Sequence, residues 1–324
     1  MSRRVTIVMY HYVRDPARSR YPLIKGLGVD AFRGQLDFIR RHYSVVGAQD
    51  VIRATRDGAP LPPRALLLTF DDGYVDHFSV VAPMLQECQA TGCFFPPARA
   101  VLEKRVLDVN KIHFVLAAAP SVGEVASTIC DAVDEQATRF GLPSAPTYWN
   151  RLAKSGRYDH ADVIFVKRML QRELPVELRE PLTNALFTKY VTQDEAAFAE
   201  ELYMSLDQLR IMHQSGMCIG SHGYSHSWMN TQALEEQRSE VIASVEFLGR
   251  IGVPPKGWIM CYPYGAWNST LIELLPSCGC ALGMTVEVGV ADLDEHHPLT
   301  LPRLDTNDLP TTALGGGHPW LAKA

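Results

Sequence analysis

The stretch ALLLTFDDGY at residues 65–74 decides the fold. An apolar run from Ala65 to Phe70 follows Pro60, Pro62 and Pro63 and stops at two carboxylates and a glycine. So short a run, with no alternation of polar and apolar residues, fits a strand buried on both faces. Such strands belong to parallel sheets covered by helices. The surroundings agree: Tyr74 to Ala90 reads as a helix stopped by Gly92, and Gly92 to Phe95 as a strand cut off by Pro96 and Pro97.

The same alternation extends outward in both directions. Upstream, Val5 to Met9 is a strand, and Asp30 opens a segment in which Phe32, Leu36 and Ile39 recur at helical spacing. Downstream, Ser205 and Gln208 form a capping box, and Met217 to Gly220 is a strand. Leu234, Val241, Ile242, Val245 and Leu248 mark one helix face. Strands at Trp258–Cys261, Ala281–Thr285 and Leu299–Leu304 follow, with a helix from Asn268 to Pro276 among them. This repetition predicts an α/β protein with a parallel sheet, closed or open.

Between 106 and 201 the pattern lapses. Prolines 120, 143, 146, 175 and 181 punctuate segments of helical character, and strands are absent. The chain of 324 residues therefore reads as a discontinuous α/β domain, 1–105 and 202–310, a helical insertion at 106–201, and a tail at 311–324. Hydrophobic residues are 47% and the net charge is −5, which argues against a nucleic-acid partner. Seven scattered cysteines form no paired framework and read as reduced thiols. No run is long and apolar enough to span a membrane, and the start carries no cleavable export signal, so a cytoplasmic location is expected.

The chemically useful residues follow directly after strands. Asp71 and Asp72 end the second strand, His222 and His226 follow the fourth, and Pro263-Tyr264-Gly265 follows the fifth. In a parallel barrel such positions share the C-terminal rim. Taken alone, the aspartates are a helix start and the histidines a surface pair. Four residues apart on a helical turn, however, His222 and His226 suit two metal ligands. With an aspartate from another strand they make a His₂-carboxylate set that leaves a position open for water. Tyr264 sits in a turn able to aim backbone N–H groups at a developing oxyanion.

Three segments, TFDDGY at 69–74, SHGYSH at 221–226 and YPYG at 262–265, resemble the first three motifs of the polysaccharide deacetylases, the NodB-homology carbohydrate esterases, in the family's order. Tyr10-His11-Tyr12 resembles the opening of one branch of that family. The resemblance implies a distorted (β/α)₇ barrel and metal-dependent removal of an acyl group from an N-acylated sugar. By position it makes Asp71 the catalytic base and Asp72, His222 and His226 the ligands of one divalent ion, zinc by expectation. Two positions depart from the pattern. The family's arginine before Pro-Tyr is Cys261 here, and Arg303 is the candidate to replace it beside Asp71. The late histidine motif that supplies the acid has no clean match, and His11, at the end of the first strand, is the candidate.

The resemblance, with a cytoplasmic location expected, predicts an enzyme that removes an N-acetyl group from a sugar precursor, nucleotide-linked or lipid-linked, in surface polysaccharide biosynthesis. A formamido sugar or non-sugar amide is the second expectation, and a catalytically silent sugar-binding barrel the third. The insertion is expected to be a cap, because 150 positions separate Asp72 from His222 where a bare barrel needs only a short loop. Its aromatics Tyr148, Trp149, Tyr158, Phe187 and Tyr190 could stack on a sugar or fill a small core.

Overall fold

The computed structural model describes residues 3–156, 158–313 and 318–324. Nine strands form its sheet: β1 (Arg4–Tyr10), β2 (Ser44–Val45), β3 (Ala65–Asp71), β4 (Cys93–Phe95), β5 (Cys218–Ile219), β6 (Trp258–Cys261), β7 (Cys280–Val288), β8 (Ala291–Asp292) and β9 (Leu301–Asp305). Seven of them run in the order β5-β4-β3-β1-β9-β7-β6, with every neighbouring pair parallel. Ser221, just past β5, bridges Met260 of β6. Its N–H donates to the Ile259 carbonyl and its carbonyl accepts from the Cys261 N–H, both at 2.9 Å. The ring of seven thus closes through a one-residue seam, the distorted barrel that the motifs imply. The short strands β2 and β8 pair with β3 and β1 outside the ring. Two residues are too few to show any period, so the sequence gives no sign of either strand.

Strand parity sorts the core and places the site. Leu66, Leu68 and Phe70 of β3 pack outward with Val8, Tyr10, Phe94, Met260 and the helix residues Phe32, Leu36 and Leu248. Ala65 and Leu67 pack in a separate cluster with Ile7, Phe95, Ile259, Cys261, Met284 and Leu301. Because side chains alternate along a strand, Thr69 and Asp71 share the face of Ala65 and Leu67, and Arg303 shares that of Leu301. A carboxylate and a guanidinium therefore lie inside the barrel toward its C-terminal end.

The chain divides into two compact units, one of Met1–Asp15, Gly26–Arg105 and Ala199–Ala324, the other of Pro16–Lys25 and Val106–Phe198. The second unit is helical, with helices at Asp108–Ala118, Val122–Phe140, Ala145–Leu152, Ala161–Arg168 and Val176–Tyr190. It has its own core, which includes Val125, Ile129, Phe165 and Leu186. Tyr148 and Phe187 are buried in this unit, whereas Trp149 and Tyr158 are exposed. Pro16–Lys25 belongs here because Tyr21 packs edge-on to Phe114 and Phe198, and Lys25 pairs with Asp159 at 2.6 Å. Nothing in the local pattern of residues 16–25 announces this. No helix among the described residues is long and apolar enough to cross a membrane.

Of the stretch 311–324 read as a tail, Leu314–Gly317 lie outside the described residues. The Thr311 carbonyl oxygen lies against Gly34, 1.9 Å from where a Cβ would stand, and Leu321 and Ala324 pack on the outer core. One expectation needs correcting. His222 and His226 do not lie on a helical turn: Ser221–His226 is a loop, with Gly223 at φ +72° and His226 at φ +58°. A two-residue strand followed by a glycine at positive φ leaves no helical start, so the two imidazoles are brought together by the loop's winding.

Candidate active site

Asp72 turns away from β3 at φ +71°, followed by Gly73 at φ +68°. A Cβ on Gly73 would stand 2.7 Å from the Pro96 Cβ and 2.9 Å from its Cα, so the turn needs glycine on both counts. The turn points adjacent aspartates at different partners. Of six non-glycine residues with positive φ among the described residues, three are Asp72, His226 and Tyr264, and strain of this kind collects at functional sites.

Asp72, His222 and His226 are all buried. The Asp72 Oδ1 lies 3.4 Å from His222 Nε2 and 3.4 Å from His226 Nε2, yet makes no hydrogen bond among the described residues. A buried carboxylate oxygen without a partner is costly. Ligands at about 2.0–2.2 Å in a tetrahedron are spaced about 3.3–3.6 Å apart, so these separations match one edge set of a small divalent ion. The three residues form a group able to hold a metal.

The surroundings orient these three side chains. His222 Nδ1 donates to the Cys261 carbonyl at 2.7 Å, which leaves Nε2 directed at Asp72. Tyr74 donates its hydroxyl to Asp72 Oδ2 at 2.5 Å, which leaves Oδ1 facing the two imidazoles. Burial, reinforced by Asp72, raises the Tyr74 phenol well above its usual range, so it remains a donor. Burial pushes the His226 imidazole down, toward the neutral form that binds metals. Burial also presses on His222, but Cys261 and the Asp72 carboxylate outweigh it and raise its pKa. Burial opposes ionisation of Asp72, yet the two imidazoles beside it hold its carboxyl well below the usual range.

Asp71 is held separately. Arg303 grips it in a fork, Nη1 to Oδ1 at 3.0 Å and Nη2 to Oδ2 at 2.8 Å. The guanidinium is itself secured by the Thr285 carbonyl (Nε, 2.8 Å) and the Thr69 hydroxyl (Nη1, 3.2 Å). Burial alone would push the Asp71 carboxyl up, but Arg303, aided by His222 and His11, outweighs it and holds the carboxyl at about 2. Cys261 donates its thiol to Asp71 Oδ2 at 3.3 Å, and burial keeps that thiol protonated. His11 is partly exposed, with Nε2 4.0 Å from Asp71 Oδ2. Tyr264 lies edge-on to His226 at 4.8 Å and stacks on Trp228 at 4.4 Å.

All seven sequence-derived site residues, His11, Asp71, Asp72, His222, His226, Tyr264 and Arg303, therefore gather at one end of the barrel. Others at the site escaped the sequence. His77, in a π-helical turn over His77–Val81, hydrogen-bonds the His11 carbonyl through Nε2 at 2.8 Å. Glu240 reaches the histidine loop from the helix Leu234–Ile251. A lone histidine on a helix and one glutamate among several carry no signal in a single sequence.

Fold and site together define a parallel α/β barrel protein with an Asp-His-His group able to hold a cation at the C-terminal ends of its strands. Residues 181–283 match the family model of the polysaccharide deacetylases, a stretch that holds His222, His226 and Tyr264. The poly-β-1,6-N-acetyl-D-glucosamine N-deacetylase of Escherichia coli K12 is 33% identical over 90 residues, 28% of this chain and 13% of that protein. A Bacillus subtilis protein named for polysaccharide deacetylation is 27% identical over 93 residues, 29% of this chain and 33% of its own length. The chain thus spans a minor part of these relatives. Among solved structures, the Streptococcus pyogenes deacetylase PplD in complex with acetate superposes with a TM-score of 0.59 at 15% identity, covering 94% of this chain and 93% of that one. IcaB from Ammonifex degensii gives 0.53 at 17%, covering 93% and 91%. At these identities the structural likeness concerns the fold. Over these stretches the chain is similar to the polysaccharide deacetylases, and its barrel has their fold.

Proposed function

We propose that this protein is a metal-dependent carbohydrate N-deacetylase that hydrolyses the acetamido group of an N-acetylated sugar, polymer or precursor, in surface polysaccharide metabolism. The observation that carries the proposal is the unpartnered Asp72 Oδ1, 3.4 Å from two imidazole nitrogens and beside a second, separately held carboxylate. The names of the relatives support an acetamido sugar over the formamido and non-sugar alternatives.

Asp72, His222 and His226 would hold the ion, for which zinc suits two imidazoles and a carboxylate. When bound, a divalent ion supplies Lewis acidity to a water and to the amide carbonyl. The remaining steps belong to the chain. Asp71, ionised through Arg303, accepts a proton from the attacking water. The Tyr264 backbone N–H assists the oxyanion. His11, 4.0 Å from Asp71, delivers a proton to the departing amine, so that amide and water become acetate and free amine. Asp71 is a weak base at its low pKa, so its contribution is position and charge more than basicity.

The test is acetate release by metal-loaded protein from β-1,6-linked N-acetylglucosamine oligomers, chito-oligomers, nucleotide sugars and lipid-linked sugars. Turnover that is abolished by chelation and restored by zinc is expected with at least one class. Stoichiometric metal with no acetate from any class would overturn the deacetylase assignment.

A further inference from the structure

The loop carrying both imidazoles has no secondary structure of its own; Glu103 takes the Tyr224 hydroxyl at 2.7 Å, and Glu240 holds its backbone. Glu240 lies on the helix Leu234–Ile251, 14 positions beyond His226. Its Oε2 accepts from the Tyr224 N–H at 2.9 Å and the Ser225 N–H at 3.0 Å, and its Oε1 accepts from the Ser225 hydroxyl at 2.6 Å. Two consecutive amides converging on one carboxylate oxygen form a nest of the kind that binds anions, here occupied by the protein's own side chain. The opposite edge of the loop is held as well: Ala98 N–H donates to the Gly223 carbonyl at 3.2 Å and Arg99 N–H to the Tyr224 carbonyl at 2.9 Å.

We infer that Glu240 is a positioning residue for the metal centre: its carboxylate clamps Tyr224 and Ser225 so that His222 and His226 both face Asp72. The inference rests on the metal-site reading given above. His226 has φ +58°, a conformation disfavoured for histidine, and needs its neighbours to be fixed from outside. Three hydrogen bonds to one side chain, placed directly before His226, meet that need. Without them the loop relaxes, and the site must be ordered again at each binding event.

The experiment compares zinc affinity of the wild-type chain, Glu240→Gln and Glu240→Ala by competition with a chromophoric chelator, with Glu235→Gln, on the exposed side of the same helix, as control. Residues that orient metal ligands alter affinity by about 10–100-fold when removed. We expect a loss in that range for Glu240→Ala, a smaller one for Glu240→Gln, and none for Glu235→Gln. Thermal melts of the metal-free proteins separate clamp from general stabiliser: zinc should raise Tm less in the Glu240 variants than in the wild type. Should Glu240→Ala fail to fold, Glu240→Gln decides. Variants that bind zinc within twofold of a zinc-binding wild type would overturn the clamp alone. A wild type that binds no divalent ion would overturn the metal site and the clamp with it.

Discussion

Replacing Arg303 by methionine should expose how the barrel tolerates a carboxylate at its centre. Asp71 is 2% exposed, and Arg303 is the largest influence opposing its desolvation. Lowering the carboxyl from its ordinary 3.8 to about 2 corresponds to roughly 2 kcal/mol of folded-state stability at pH 7. The substitution forfeits that and also strands the Thr285 carbonyl, so the total should approach the ~3–5 kcal/mol typical of breaking a buried pair. The pH dependence carries the sign. In the wild type Asp71 stabilises the fold above pH 3.8, and that contribution is lost as pH falls toward 2. In Arg303→Met, burial governs and the folded pKa rises, so the variant loses stability as pH climbs through 3.8 and beyond. Urea unfolding of metal-free protein at pH 4 and pH 7 measures both, and the gap between the two proteins should be wider at pH 7. A gap under about 1 kcal/mol, or one equal at the two pH values, would refute the reasoning. Arg303→Lys should fall between, because an ammonium keeps the charge but not the fork.

The two aspartates should separate by phenotype: Asp71→Asn keeps stoichiometric metal and loses acetate release, whereas Asp72→Asn, His222→Ala and His226→Ala lose the metal, as read by metal analysis after gel filtration. Burial lowers the His77 imidazole from 6.5 to about 4, so the fold should lose up to about 3 kcal/mol as pH falls across that window. His77→Gln should flatten this slope in urea titrations at stepped pH. Gly265→Ala places a Cβ 2.5 Å from Val286 Cγ2 and 3.1 Å from the Val286 amide nitrogen, at φ +68°. A loss of about 1–3 kcal/mol in chemical unfolding is expected, with displacement of the neighbouring Tyr264.

The sequence by itself determined the strands that build the barrel and the Asp-His-His residues that gather at its C-terminal end. Short apolar runs ended by Asp71-Asp72, by the His222–His226 segment and by Pro263-Tyr264-Gly265 are local signals, since strand termini and their following turns are set within a few residues. What only the tertiary structure decided is how those residues are held. Arg303, 232 positions from Asp71, meets it because β9 and β3 flank β1 in the ring. The lapse of pattern marks the helical stretch between the barrel strands, but its recruitment of Pro16–Lys25 depends on Tyr21 finding Phe114 and Phe198. The loop shape at His222–His226, misjudged as a helical turn, depends on Glu240 and on the amides of Ala98 and Arg99. A site residue's identity is written in its own residue type and neighbours, whereas its orientation is a sum of contacts between segments distant in the chain. That sum exists only once the barrel has closed.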